Sequence, residues 1–96
     1  MKYTVKFTSQ FKQDFKLAKK RGMNTTKLLS VVDLIADGTK QDQLIADYDD
    51  HALTGNWKGY RECHIEPDWL LIYELVDDVL VLSLSRTGTH SDLFKK

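Results

Sequence analysis

The sequence predicts an α+β domain of order β-α-α-β-β-β, a mostly antiparallel sheet with two N-terminal helices packed on one side. Three observations carry that prediction. Tyr3, Val5 and Phe7 alternate with Thr4, Lys6 and Thr8, the period-two pattern of a strand with one buried face. Two apolar stripes at helical spacing follow. Beyond a polar stretch, three apolar runs are separated by two short turn signals.

Each element has a local reason. Ser9 is placed to cap the first helix, whose Phe11, Phe15 and Ala18 recur at helical spacing until Gly22 ends the pattern. Asn24 or Thr25 caps the second, whose Leu28, Val31, Leu34 and Ile35 form an apolar stripe stopped by Asp37-Gly38. Residues 39–56 are polar and acidic, a loop anchored by Leu44, Ile45 and Tyr48 with room for a short helical turn. Strands are expected over residues 58–66, 69–76 and 79–86, joined by tight turns at Pro67-Asp68 and Asp77-Asp78 into antiparallel hairpins. Trp69-Leu70-Leu71-Ile72-Tyr73 is apolar on both faces, so it is the central strand.

Ninety-six residues make one domain, residues 1–96, with a single modest core and no linker, repeat or low-complexity tract. The 42% apolar and 29% charged fractions are those of a soluble globular chain and argue against disorder. No apolar run approaches the roughly 20 residues of a membrane span, and residues 1–5 lack the apolar block of a secretory signal, so the expected address is the cytoplasm. The lone Cys63 has no partner for an internal disulfide and reads as a buried structural thiol. Zero net charge hides an asymmetry: residues 1–30 carry eight Lys/Arg and one acid, whereas residues 31–50 carry one Lys and six Asp. Lys12, Lys16, Lys19, Lys20 and Arg21 fall mostly along the first helix, as a field for a polyanion, a docking face for an acidic partner, or simply a solvated face.

The chemistry-bearing residues lie between Asp50 and Phe94. His51, His64 and His90 are the side chains that ordinarily exchange protons near neutral pH. Alternation over residues 60–66 puts Tyr60, Glu62, His64 and Glu66 on one face and Arg61, Cys63 and Ile65 on the other. Arg86 shares a face with Leu80, Leu82 and Leu84 and emerges where that apolar row stops, and His90 follows across a glycine bend. Neighbouring strand ends lie only about 5 Å apart, so this topology can gather His64, Asp68, Arg86 and His90. Cleaving RNA without a metal needs a base for the 2′-hydroxyl, an acid for the departing 5′-oxygen and a cation for the phosphate, and these residue types supply all three. Trp69 and Phe94 add flat surfaces on which bases can stack. Trp57, between Gly55 and Gly59, reads as a packing residue. The histidine separations lack a short His-x-His or His-x-x-x-His pair and Cys63 alternates away from His64, so no metal and no other cofactor is expected.

The blocks Asp50-His51, Gly55-Asn56-Trp57-Lys58-Gly59-Tyr60-Arg61, His64-Ile65-Glu66-Pro67-Asp68-Trp69 and Arg86-Thr87-Gly88-Thr89-His90 with Leu93-Phe94 together resemble the YafQ family of bacterial toxins. That family lies within the RelE/ParE superfamily of type II toxin-antitoxin systems, and the resemblance covers nearly the whole chain. It implies a RelE-like fold and an mRNA interferase, an endoribonuclease that cuts messenger RNA in the ribosomal A site and is silenced by a cognate antitoxin. The implied functional positions are His51, His64, Asp68, Trp69, His90 and Phe94, and Glu62 stands where a close relative has aspartate. The implied partners are the antitoxin, the 70S ribosome with mRNA, and operator DNA only indirectly through the antitoxin complex. With the chemistry above, Asp68 or His64 takes the 2′-hydroxyl proton, His90 protonates the leaving oxygen, and His51 with Arg86 steadies the phosphate. The products expected are a 2′,3′-cyclic phosphate and a 5′-hydroxyl. Lys16, Lys19 and Lys20 are expected to contact ribosomal RNA or the antitoxin. Two other readings fit the same residues: a non-catalytic toxin resembling ParE that inhibits DNA gyrase by binding, and a small RNA-binding regulatory module whose titratable residues are structural.

Overall fold

Strand β1 (Thr4–Phe7) leads into helices α1 (Ser9–Lys20), α2 (Thr25–Asp37) and α3 (Gln41–Tyr48), then a two-residue strand β2 (His51–Ala52). A 3-10 turn (Gly55–Trp57) precedes β3 (Arg61–Glu66), β4 (Trp69–Val76) and β5 (Val81–Gly88), and helix α4 (His90–Phe94) follows. The structure is a computed structural model that describes residues 1–94; residues 95–96, the end of the expected domain, lie outside the described residues. One five-stranded sheet runs β1-β5-β4-β3-β2, antiparallel except where β1 pairs parallel to β5. The expected α+β layout forms, with α3, β2 and α4 added to it.

Local chemistry sets the helix ends. Thr8, rather than the expected Ser9, caps α1: its Oγ1 accepts from the Phe11 N–H at 3.2 Å and donates to the Leu84 carbonyl at 2.7 Å. One hydroxyl thus starts the helix and ties that start to β5. Asn24 caps α2 by accepting from the Lys27 N–H at 3.1 Å, and Gly38, at φ 82°, ends it in a conformation that a Cβ disfavours. Helix α3, eight residues long, occupies the first part of the stretch expected as a loop. It makes no side-chain cap bond and buries only Leu44, so its sequence pattern is weak.

Residues 69–73 of β4 are each at most 1% exposed and build two layers. Trp69, Leu71 and Tyr73 join Cys63, Leu82 and Leu84 under α1, α2 and α3, forming the main core. Leu70 and Ile72 point to the opposite face, where Leu93 of α4 seals them and Leu53, Trp57, Tyr60 and Phe94 pack at the margin. Each large apolar side chain fully buried there contributes about 1.5–3 kcal/mol, which makes β4 the element on which both layers depend. Strand β1 buries only one end of its expected apolar face: Tyr3 is buried, Val5 half-buried and Phe7 exposed.

Two register shifts re-aim side chains that simple alternation misplaces. Pairing passes from His64 opposite Leu70 to Glu66 opposite Trp69, so Ile65 is an extra residue. Glu66 therefore leaves the histidine face on which alternation places it, and its carboxylate lies 3.0 Å from Lys27 Nζ of α2. On β5, Leu84 faces Tyr73 while Arg86 faces Ile72, so Ser85 is extra. That one residue breaks the alternation, so Arg86 pairs opposite Ile72 instead of continuing the Leu82–Leu84 row.

Candidate active site

The face of the sheet away from α1 and α2 carries the histidines. Glu62 and His64 of β3 pair with Ile72 and Leu70, and His51 of β2 pairs with Glu62, so all three project from this face. His90 arrives from the first turn of α4. The ring centroids of His51 and His64 are 6.1 Å apart and those of His64 and His90 are 5.7 Å apart, an unbroken row of three imidazoles from three elements.

Each ring has a carboxylate or carbonyl neighbour. The buried Glu62 lies between two of them, its Oε1 3.4 Å from His51 Nε2 and 3.3 Å from His64 Nε2. His51 Nδ1 is 2.7 Å from the Asp49 carbonyl oxygen, and Asp49 Oδ2 lies 3.7 Å from His64 Nε2. Asp68 Oδ1 accepts from the His90 backbone N–H at 2.9 Å and meets His90 Nδ1 at 2.5 Å. These two bonds, the backbone one foremost, hold the Asp68 carboxyl below the ordinary carboxylate range. An Nδ1 proton donated to Asp68 leaves His90 Nε2 outside that bond.

The segment bearing His51 is pinned from beneath. Asp50, buried, receives Arg61 Nε at 2.7 Å and Arg61 Nη2 at 2.6 Å, while its other oxygen accepts from the Tyr73 hydroxyl. Burial, then this bond to Asp50, raises the Tyr73 hydroxyl's pKa above its usual value. Asp49, at φ 52°, makes the turn that throws His51 outward. Cys63 is buried, and its thiol is pushed well up by that burial, which suits the structural role expected of it.

The expected site residues divide accordingly. His51, His64, His90 and Asp68 come together. Arg86 does not join them: its guanidinium is engaged by Asp14 of α1, through Nε at 2.7 Å and Nη2 at 3.2 Å. Trp69 does not present a stacking surface: it is 1% exposed, faces the helices, and donates its indole N–H to Thr87 Oγ1 at 2.9 Å. Its parity on β4, opposite to that of Leu70, puts it in the core. Phe94 is half-buried on the histidine face, 6.5 Å from the Trp57 ring, and Trp57 stands edge-on to Tyr60 at 5.4 Å. Trp57 packs as expected yet keeps part of its surface. Lys16, Lys19 and Lys20 are exposed on α1 and do not join the histidine row. Glu62 and Asp49 complete the cluster; alternation aligns Glu62 with His64, but Asp49 gives no signal beyond its acidic neighbourhood. Among the described residues, no group of three or more His, Cys, Asp or Glu side chains is arranged to hold a metal ion.

Comparison with known proteins adds a family. The family described as the bacterial toxin of type II toxin-antitoxin system, YafQ, matches residues 3–95. The mRNA interferase toxin YafQ of Escherichia coli strain K12 is 46% identical over 90 residues, 94% of each chain. YafQ in the E. coli DinJ-YafQ toxin-antitoxin complex superposes with a TM-score of 0.85 at 44% identity, covering 98% of this chain and 99% of that one. A metal-bound toxin from Helicobacter pylori superposes with a TM-score of 0.86 at 37% identity, covering 96% and 99%.

Proposed function

Because the chain belongs to the YafQ family of bacterial toxins of type II toxin-antitoxin systems, we propose that it is a ribosome-dependent mRNA interferase that cuts messenger RNA in the A site by metal-independent acid-base catalysis. The observation that carries the reading is the imidazole row with its carboxylates, in which neighbouring proton-exchanging rings stand 6.1 Å and 5.7 Å apart, centroid to centroid. Such spacing lets one ring take a proton while a neighbour gives one across a single phosphodiester.

His64, the central ring, removes the 2′-hydroxyl proton. Asp68 is the weaker base of the two candidates because its bonds to His90 already lower its proton affinity. It orients His90, whose Nε2 delivers a proton to the departing 5′-oxygen. His51 faces the developing negative charge, and Arg86 contributes through Nη1, the nitrogen outside its two bonds to Asp14. The internal nucleophile leaves a 2′,3′-cyclic phosphate and a 5′-hydroxyl. Phe94, with the edges of Trp57 and Tyr60 beside it, offers the stacking surface for a flanking base. Lys16, Lys19 and Lys20 meet ribosomal RNA. A cognate antitoxin silences the toxin, as the DinJ partner of the E. coli relative suggests, and operator DNA is reached only through that complex.

Expression of the chain without an antitoxin, followed by transcriptome-wide mapping of new RNA ends, tests the reading. In-frame cuts confined to translated coding regions are expected. Unimpaired growth, or equal cutting of translated and untranslated RNA, would refute it.

A further inference from the structure

The row of imidazoles depends on His90, and His90 sits at the first position of a helix only five residues long. A helix of that length does not hold itself together in water, so its orientation must come from elsewhere. Thr89 and Asp92 form a reciprocal capping box: the Asp92 N–H donates to Thr89 Oγ1 at 3.1 Å, and the Thr89 N–H donates to Asp92 Oδ2 at 3.0 Å. Gly88 leaves room for this fold-back, since a Cβ there would stand 3.0 Å from both Cβ and Oδ2 of Asp92, a tight contact. The same Asp92 receives Arg21, at the end of α1, through Nη1 at 2.7 Å and Nη2 at 3.4 Å. Seventy-one residues separate the two partners in the chain.

We propose that Arg21 and Asp92 are positioning residues for cleavage, a clamp that fixes α4 to α1 and so holds the His90 imidazole against Asp68 and beside His64. The proposal rests on the reading of His90 as the proton donor. Neither Arg21 nor Asp92 is among the three imidazoles or their direct carboxylate partners, so the clamp acts through His90. An exposed ion pair contributes little to global stability, and this one is 41% and 28% exposed. Its effect is therefore on where His90 stands, and a small misplacement of a proton-transfer group is costly in rate.

The test compares the full chain with Arg21→Ala and Arg21→Lys in single-turnover cleavage on programmed ribosomes, with the His90 Nδ1 proton followed by NMR. Arg21→Ala is expected to lower the maximal rate about fivefold to tenfold. Half-saturation and the melting temperature should stay near wild type, while the His90 Nδ1 proton signal broadens as its bond to Asp68 loosens. Arg21→Lys should restore the rate to within about twofold of wild type, because it keeps the charge opposite Asp92. An Arg21→Ala rate within about twofold of wild type, or a raised half-saturation with an unchanged maximal rate and an unchanged His90 signal, overturns the clamp; the second result would make Arg21 a ribosome contact. If the wild-type protein cuts no RNA but Arg21→Ala still loses the His90 signal, the clamp stands and the nuclease reading falls.

Discussion

At the scale of single residues, side chains that join the histidine row are distinct from those that merely stand near it in sequence. Trp69 is the clearest case. Its place beside the Pro67-Asp68 turn suggests a stacking platform, but period-two parity on β4 sends it into the core. Trp69→Ala should therefore cost about 3–5 kcal/mol in urea unfolding, and Trp69→Phe about 1–2 kcal/mol for the missing indole bond. The Phe variant should cut RNA at close to the wild-type rate where it is folded; unchanged stability with abolished cleavage would return Trp69 to the RNA. Asp92 makes a second residue-level prediction. Its carboxyl is lowered from 3.8 to about 2, first by Arg21 and then by the Thr89 N–H. A lowered folded value means that the unfolded chain binds the proton first, so this stabilisation is full above about pH 4 and is lost as pH falls towards 2. The difference in melting temperature between wild type and Asp92→Asn should hold steady from neutral pH down to about 5 and shrink between about 4 and 2. A constant difference across that range would mean that the ionised Asp92 carboxylate, including its bond from the Thr89 N–H, stabilises nothing.

At the scale of elements, much of the architecture was legible in the sequence. Both long helices, the two hairpins and the doubly buried β4 follow from patterns that burial imposes on any sequence: apolar spacing, turn residues and a run without polar interruption. The parts that were not legible are those in which tertiary contacts decide. Helix α3 has one buried residue and no cap bond, and the bulges at Ile65 and Ser85 leave no mark in the sequence although each changes which face its neighbours occupy. So the convergence of His64, Asp68 and His90 could be anticipated, whereas the diversion of Glu66 to Lys27 and the binding of Arg86 by Asp14 could not. The two-residue β2 is held by Asp50, whose carboxylate serves both Arg61 and Tyr73. Asp50→Ala strands a buried hydroxyl and a half-buried guanidinium and should cost about 2–4 kcal/mol, read as a lower urea midpoint at unchanged m. A cost below about 0.5 kcal/mol would mean that His51 is positioned by something else.

At the scale of the whole molecule, the sheet divides labour between its faces. The helices on one side supply the core and carry the exposed basic residues, while the other side carries the imidazoles and the aromatic margin. No described helix is long and apolar enough to cross a membrane. The charge asymmetry seen in the sequence therefore lies on a different surface from the histidine row, so the proposed docking and the proposed cleavage can be tested separately. Reversing the charges of Lys16, Lys19 and Lys20 should weaken ribosome association and flatten its dependence on log salt by about one unit for each phosphate no longer neutralised. Cleavage of ribosome-bound mRNA should persist once the protein is saturating. Unchanged association with both ribosome and antitoxin would make that helix face merely solvated.

The central claim is that three imidazoles and their carboxylates supply the proton transfers that cut RNA, with no metal taking part, and product chemistry tests it most directly. Translating ribosomes are given purified wild-type or His90→Gln toxin, with Mg²⁺ retained for the ribosome and transition metals removed by a selective chelator. Wild type should yield A-site fragments ending in a 2′,3′-cyclic phosphate and a 5′-hydroxyl at an undiminished rate, and the variant should be slower by about 10²-fold or more. Fragments ending in a 3′-hydroxyl and a 5′-phosphate, loss of cutting on chelation, or a fully active His90→Gln protein would contradict it.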